Sequence, residues 1–156
     1  MDAATRRALI DRYATGPTAV RAALGGATAA ELDARPADGG WTAREVVHHL
    51  ADSETTSTIR FRRLLAEDDP VIVGYDQDRF AEVLRYDRPI DLSLAVFEAV
   101  RASNVELLEL LTDADFARTG THTEDGAYGV EQWLAIYADH AYDHAEQIRT
   151  ARTFAV

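Results

Sequence analysis

His140 and His144 stand four residues apart in a long stretch of helical pattern. On a helix that spacing stacks two imidazoles one turn apart on one face, where both can reach a single ion. The stripe that carries them is Val130, Trp133, Leu134, Tyr137, His140, Ala141, His144 and Ile148, which follows the i, i+3, i+4, i+7 rule of a buried helix face. The two rings therefore point inward, and Glu131, Asp139, Asp143, Glu146 and Arg149 fall on the opposite face. His49 lies in a second helical stretch, in register with Val46, Leu50 and Ser53, and points inward as well. Three imidazoles from two helices can hold a divalent ion and leave positions open for water or substrate. Nitrogen ligation suits zinc, nickel, copper or iron, with zinc or nickel expected first. The bland alternative is a set of core histidines held by hydrogen bonds, which for the pair alone requires partners for four buried ring nitrogens. His48, one position round the helix, faces a different way and is expected to pack on a neighbouring helix or to stand behind a ligand. His122 falls in a polar stretch and is expected to be solvated.

Four long helices must position these rings. The first runs from about Ala3 to Leu24, with an interruption expected at Gly16-Pro17, where Pro17 removes an amide donor. Gly25-Gly26 stops it, and Thr28 with Glu31 opens a short helical turn by the capping-box pattern. Thr42 caps the second long helix, with Glu45 three residues on and Trp41 and Val46 placed as a hydrophobic staple. That helix continues to about Ala66. Val71-Ile72-Val73 is a short apolar run, and a small helix spans about Asp78 to Leu84. Asp91 is placed to cap the third long helix, along which Leu94, Phe97, Val100, Val105, Leu108 and Leu111 recur. Thr119 to Tyr128 is a loop or small hairpin, and the fourth long helix runs from about Val130 to Thr153. Four such amphipathic helices bury their apolar faces against one another. The expectation is an all-α four-helix bundle, residues 1–156 as one domain, with a long connection between helices 2 and 3 that packs over one end.

Composition removes several classes of function. The formal net charge is −11, with 27 acidic residues against 16 basic ones. A phosphate backbone or an anionic membrane surface needs clustered cations, so neither nucleic acid nor membrane is an expected partner. No stretch approaches the length of a membrane-spanning helix. The residues Met1 to Arg7 are polar and lack the apolar core of a signal peptide. Cysteine is absent, which excludes disulfides, thiolate ligands and a cysteine nucleophile, and suits a cytoplasmic protein. All the basic residues are arginine, so no Schiff-base or phosphate-loop lysine exists. No Gly-x-Ser-x-Gly elbow is present either.

The run Gly39-Gly40-Trp41-Thr42-Ala43-Arg44-Glu45-Val46-Val47-His48-His49-Leu50-Ala51-Asp52-Ser53 resembles the signature second helix of the DinB/YfiT-like superfamily. Ile59-Arg60-Phe61-Arg62, Tyr75-Asp76 and the Tyr137, His140, His144, Ile148 spacing resemble its YfiT branch, in the same order, over about residues 5–150. The resemblance implies a four-helix bundle of up-down-down-up character and a metal ion on His49, His140 and His144. It implies a homodimer and a small-molecule substrate. Members are described as metal-dependent hydrolases or as transferases that join a low-molecular-weight thiol, such as bacillithiol or mycothiol, to an electrophile. Close relatives carry further histidines where this chain has Glu54 and Ala141-Tyr142-Asp143, so the surroundings of the ligands differ.

Two chemistries use the same three ligands. The ion can acidify a water for hydrolysis, or hold a substrate thiol as thiolate for transfer. A non-catalytic metal-binding stress protein and a metal-free bundle are the alternatives of other classes. Asp52, Glu45, Asp139 and Asp143 are candidates to orient the imidazoles, against a default role as surface charges. Arg60, about three turns beyond His49, is placed to face an anionic substrate, with a surface ion pair as its alternative. Tyr75 and Asp76 either close over the site or form a turn or helix cap. A deep cationic pocket favours thiol transfer, and a narrow cleft favours attack of water on a small substrate.

Overall fold

The computed structural model describes residues 1–155. Its elements, in chain order, are α1 (Ala3–Leu24), α2 (Ala29–Asp33), α3 (Ala43–Ala66), β1 (Val71–Ile72), α4 (Gln77–Val83), α5 (Asp91–Leu108), α6 (Asp113–Phe116), β2 (Thr119–His122), β3 (Gly126–Gly129) and α7 (Val130–Arg152). The four long helices α1, α3, α5 and α7 form the bundle, in which α7 packs on α1 and α3, and α5 packs on α3 and α1. The boundaries follow local chemistry. Thr42 accepts from the Glu45 amide while the Glu45 carboxylate accepts from the Thr42 amide, and Thr28 and Glu31 do the same for α2. No helix among the described residues is long and apolar enough to cross a membrane.

Two local expectations change, and one open alternative is decided. Helix α1 continues through Gly16-Pro17 without interruption. Pro17 has no amide for the carbonyl four residues back, that of Tyr13, but the Arg101 Nη1 donates to that oxygen at 2.8 Å and replaces the missing bond. Gly16 is bare because a Cβ there would collide with the Arg101 guanidinium and stand 2.7 Å from the Ala141 Cβ. Asp91 does not cap α5; Ile90 holds that position with no side-chain bond, and Asp91 lies in the first turn, where its charge suits the helix dipole. The polar stretch before α7, expected as a loop or a small hairpin, is the hairpin. Strand β2 pairs antiparallel with β3, and β1 adds parallel to β2 through Val71 with Thr121 and Ile72 with His122. The long connection between α3 and α5 is thus built structure, made of β1, α4 against α3, and Tyr86, whose ring lies 5.4 Å from that of His48.

The core is divided. One apolar cluster gathers Phe61, Leu64, Ile72, Trp133, Leu134 and neighbours, with Phe61 and Trp133 stacked at 4.3 Å. The other gathers Val46, Val47, Leu50, Phe97, Ala145 and Ile148. Along α3 the residues between the two are Ser53, Glu54 and Ser57, all buried. Arg101 and Asn104 from α5 meet them there and are equally buried. The polar layer is tightly bonded. Arg101 Nε donates to Glu54 Oε1 at 2.6 Å, the Tyr13 hydroxyl donates to Glu54 Oε2 at 2.8 Å, and Asn104 Nδ2 donates to the Tyr13 oxygen at 3.0 Å. Arg101 Nη2 reaches the Tyr137 carbonyl at 2.6 Å and so fixes α7 one turn before His140.

Candidate metal centre

At the edge of this layer, α3 and α7 bring His49, His140 and His144 together. One ring nitrogen from each lies within 4.8 Å of the others. The His140 and His144 rings stand nearly perpendicular, with centroids 4.4 Å apart and their Nε2 atoms 3.1 Å apart. The His49 ring lies 4.7 Å from His144 and 5.5 Å from His140. Two nitrogens on a tetrahedral ion at zinc–imidazole distance are about 3.3 Å apart, so the α7 pair already has the required spacing.

The bonding around the rings fits a ligand role. Gln147 Oε1 lies 2.7 Å from His144 Nδ1. An amide oxygen only accepts, so Nδ1 carries the proton and Nε2 presents its lone pair toward His140. The Nδ1 atoms of His49 and His140 are buried with no hydrogen-bond partner among the described residues, so hydrogen bonds alone do not account for these rings. Burial holds all three rings neutral. The His49 pKa is lowered to about 3, chiefly by desolvation and then by His144. His140 is pushed well below the ordinary imidazole value by burial, then by His144 and His49. Burial also lowers His144, against the Gln147 bond that raises it. Neutral imidazole is the form that binds a metal.

The other sequence candidates lie elsewhere. His48 Nε2 donates to the Arg88 carbonyl at 2.9 Å, and its Nδ1 accepts from the Ser93 hydroxyl at 2.7 Å, so both nitrogens are satisfied against the neighbouring helix. His122 is 5% exposed rather than solvated, at the end of β2, where its Nδ1 accepts from the amides of Glu124 and Asp125 at 3.3 Å. None of the four acids expected to orient the ligands does so. Asp52 accepts from the Tyr86 hydroxyl at 2.6 Å, Glu45 pairs with Arg35, Asp139 pairs with Arg12, and Asp143 is exposed. The orienting residue is Gln147, which sequence reasoning overlooked although it lies three residues after His144 on the same helix face. Asp76 caps α4 by accepting from the Arg79 amide.

Two openings flank the triad. A groove of about 380 Å³ includes Trp41 and Gln147, with Asp38, Asp143 and Glu146 and no arginine in its lining. Trp41 lies 4.8 Å from the His49 ring. On the other side a cleft of about 200 Å³ is lined by Arg60, Gly74, Tyr75, His122, Glu124, Asp125, Tyr128, Ile136 and Tyr137. Tyr137 is the wall shared by cleft and triad, its ring edge-on to His140 at 5.5 Å.

The chain is similar to known proteins in sequence and in overall fold. A family model described as the DinB superfamily matches residues 12–148. A protein of Oceanobacillus iheyensis, provisionally named a metal-dependent hydrolase, is 39% identical over 118 residues, covering 76% of this chain and 69% of its own. A Bacillus mycoides protein with the same provisional name is 35% identical over 122 residues, covering 78% of this chain and 70% of its own. Among solved structures, YfiT from Bacillus subtilis superposes with a TM-score of 0.91 at 31% identity, over 97% of this chain and 87% of YfiT. That protein is described with metal-dependent hydrolase as its inferred activity and an unusual four-helix bundle topology.

Proposed function

The chain belongs to the DinB superfamily, and from that premise we propose that it is a metal-dependent hydrolase of a small molecule, with His49, His140 and His144 as the ligands of one divalent ion. The observation that carries the reading is the meeting of three imidazoles from two helices, with one ring nitrogen of each within 4.8 Å of the others. Three nitrogens leave a coordination position free. An ion held there supplies Lewis acidity and a water of lowered pKa. Zinc or nickel suits the donor set.

The chain's own contribution is positioning. Gln147 fixes the His144 tautomer, Arg101 anchors the backbone of Tyr137 before His140, and Trp41 and Tyr137 wall the triad on two sides. Hydrolysis is favoured over thiol transfer by the openings. The cleft next to Tyr137 is small, at about 200 Å³, and contains a single arginine; the wider groove is acidic. Neither resembles a deep cationic pocket for a sugar-linked thiol.

The test is metal analysis of untagged protein, joined to activity screens on ester, amide and thiol-plus-electrophile panels. Wild type is expected to hold close to one ion per chain and to cleave an ester or amide. His49→Ala, His140→Ala and His144→Ala should each lose tight retention. Metal well below stoichiometric in wild type and His140→Ala alike would refute the metal reading. Turnover confined to the thiol panel would replace hydrolase by transferase.

A further inference from the structure

We propose that the cleft beside Tyr137 is a subsite for a monoanionic carboxylate of the substrate, with Arg60 as the residue that recognises it. The proposal rests on the reading of the triad as the place of reaction and supplies the substrate class that reading leaves open.

Arg60 is unusual among the cations of this chain. Among the described residues, thirteen of the sixteen arginines have a carboxylate within 4.0 Å, and Arg60 is one of the three that do not. The other two, Arg62 and Arg88, spend their guanidinium donors on hydroxyls, an amide oxygen and carbonyls. Arg60 donates from Nη2 to the Val73 carbonyl at 2.8 Å and lies within hydrogen-bonding reach of the Tyr137 hydroxyl, and its Nε is buried with no partner among the described residues. In a chain of net charge −11, a half-buried guanidinium without an anion has been kept clear of the commonest partner available. Its planar fork is the group that matches a carboxylate in two bonds.

The surroundings match the same ligand. Tyr75, Tyr128 and Tyr137 line the cleft, and the Arg60 Cζ lies 5.7 Å from the Tyr75 ring centroid. Burial raises the Tyr128 phenol, so it stays a neutral donor. Glu124 and Asp125 also line the cleft, both exposed to solvent at its rim, where screening weakens them; beside a single arginine they leave no surplus of positive charge for a dianion. The groove on the other side of the triad carries Asp38, Asp143 and Glu146. That groove has no arginine in its lining, so of the two openings the cleft is the one that offers a cation to an anionic end.

Benzoate and its neutral counterpart benzamide, titrated into metal-free and metal-loaded protein by NMR, test the assignment. Benzoate should bind at least about tenfold more tightly than benzamide in both forms and should shift the Arg60 Nε–H resonance. Arg60→Gln should reduce that preference to about twofold or less while metal content stays at the wild-type value. Inorganic phosphate at pH 8, a dianion, should bind more weakly than benzoate. An unshifted Arg60 Nε–H, a preference that survives Arg60→Gln, a preference confined to the metal-loaded form, or tighter binding of phosphate would each overturn the proposal. A chain that holds no metal yet keeps the Arg60-dependent preference would refute the hydrolase reading and leave the carboxylate subsite standing.

Discussion

His49 and Glu54 lie five residues apart on α3 and both are buried, yet they belong to opposite kinds of polar cluster. Around Glu54 the donors and acceptors close on one another: both carboxylate oxygens are bonded, and the Arg101 guanidinium divides its bonds between Glu54 and the carbonyls of Tyr13 and Tyr137. Around His49 they stay partly open: the Nδ1 atoms of His49 and His140 have no partner among the described residues, and the rings of His140 and His144 meet through Nε2 at 3.1 Å. A self-satisfied network specifies how helices dock. Buried imidazole nitrogens without partners carry an energetic cost, and three neutral rings brought together are a ligand set for a metal. The contrast separates architecture from chemistry within two turns of one helix.

The comparison breaks first at Arg101. Arg101→Ala leaves Glu54 buried without its cation, at a cost of about 3–5 kcal/mol, and should lower the midpoint of thermal unfolding by about 10 °C. A shift within the scatter of surface variants would mean the pair is not architectural. The triad should respond to acid instead. Its folded-state pKa values lie below the ordinary imidazole value of 6.5, with His49 lowered to about 3, so between those limits the unfolded chain binds more protons than the folded one. Stability of the metal-free protein is then full above about pH 6.5 and falls as pH drops toward 3. Thermal scans across that window should show the loss, and a flat profile would place the three rings in water. Gln147→Ala frees the His144 tautomer and should weaken metal affinity by about tenfold to a hundredfold, read by competition with a chelator, without the large thermal effect of Arg101→Ala. His122→Ala should leave metal content unchanged; loss there would require a different ligand set.

Much of this could be read before any coordinates. Three imidazoles are legible because i, i+4 spacing and an apolar stripe place His140 and His144 on one face by geometry alone, and the Thr42–Glu45 box fixes the rotation of the helix that carries His49. The Glu54–Arg101 pair is not legible, since its members are 47 residues apart and no local rule links a glutamate on one helix to an arginine on the next. The same gap explains the misjudged break at Pro17, whose compensating donor comes from α5. Charge alone does not identify the group that orients a ligand imidazole. Four acids were nearer in type to known partners of ligand imidazoles, but each is taken by an arginine, a tyrosine or water, while Gln147 offers its oxygen one turn from His144. His122 was misplaced because a hairpin turn with Gly126 at φ +79 folds a polar segment back on itself and buries a ring that composition assigns to solvent.

The bond from Arg101 to the Tyr13 carbonyl has a consequence for assembly. With Pro17 in its middle, α1 cannot complete its own ladder of backbone bonds; a guanidinium from α5 supplies the missing rung. An excised peptide of residues 1–26 lacks that rung and should be largely unstructured in water. The first helix therefore gains its full order only when the third long helix arrives, which ties the two into a single cooperative event.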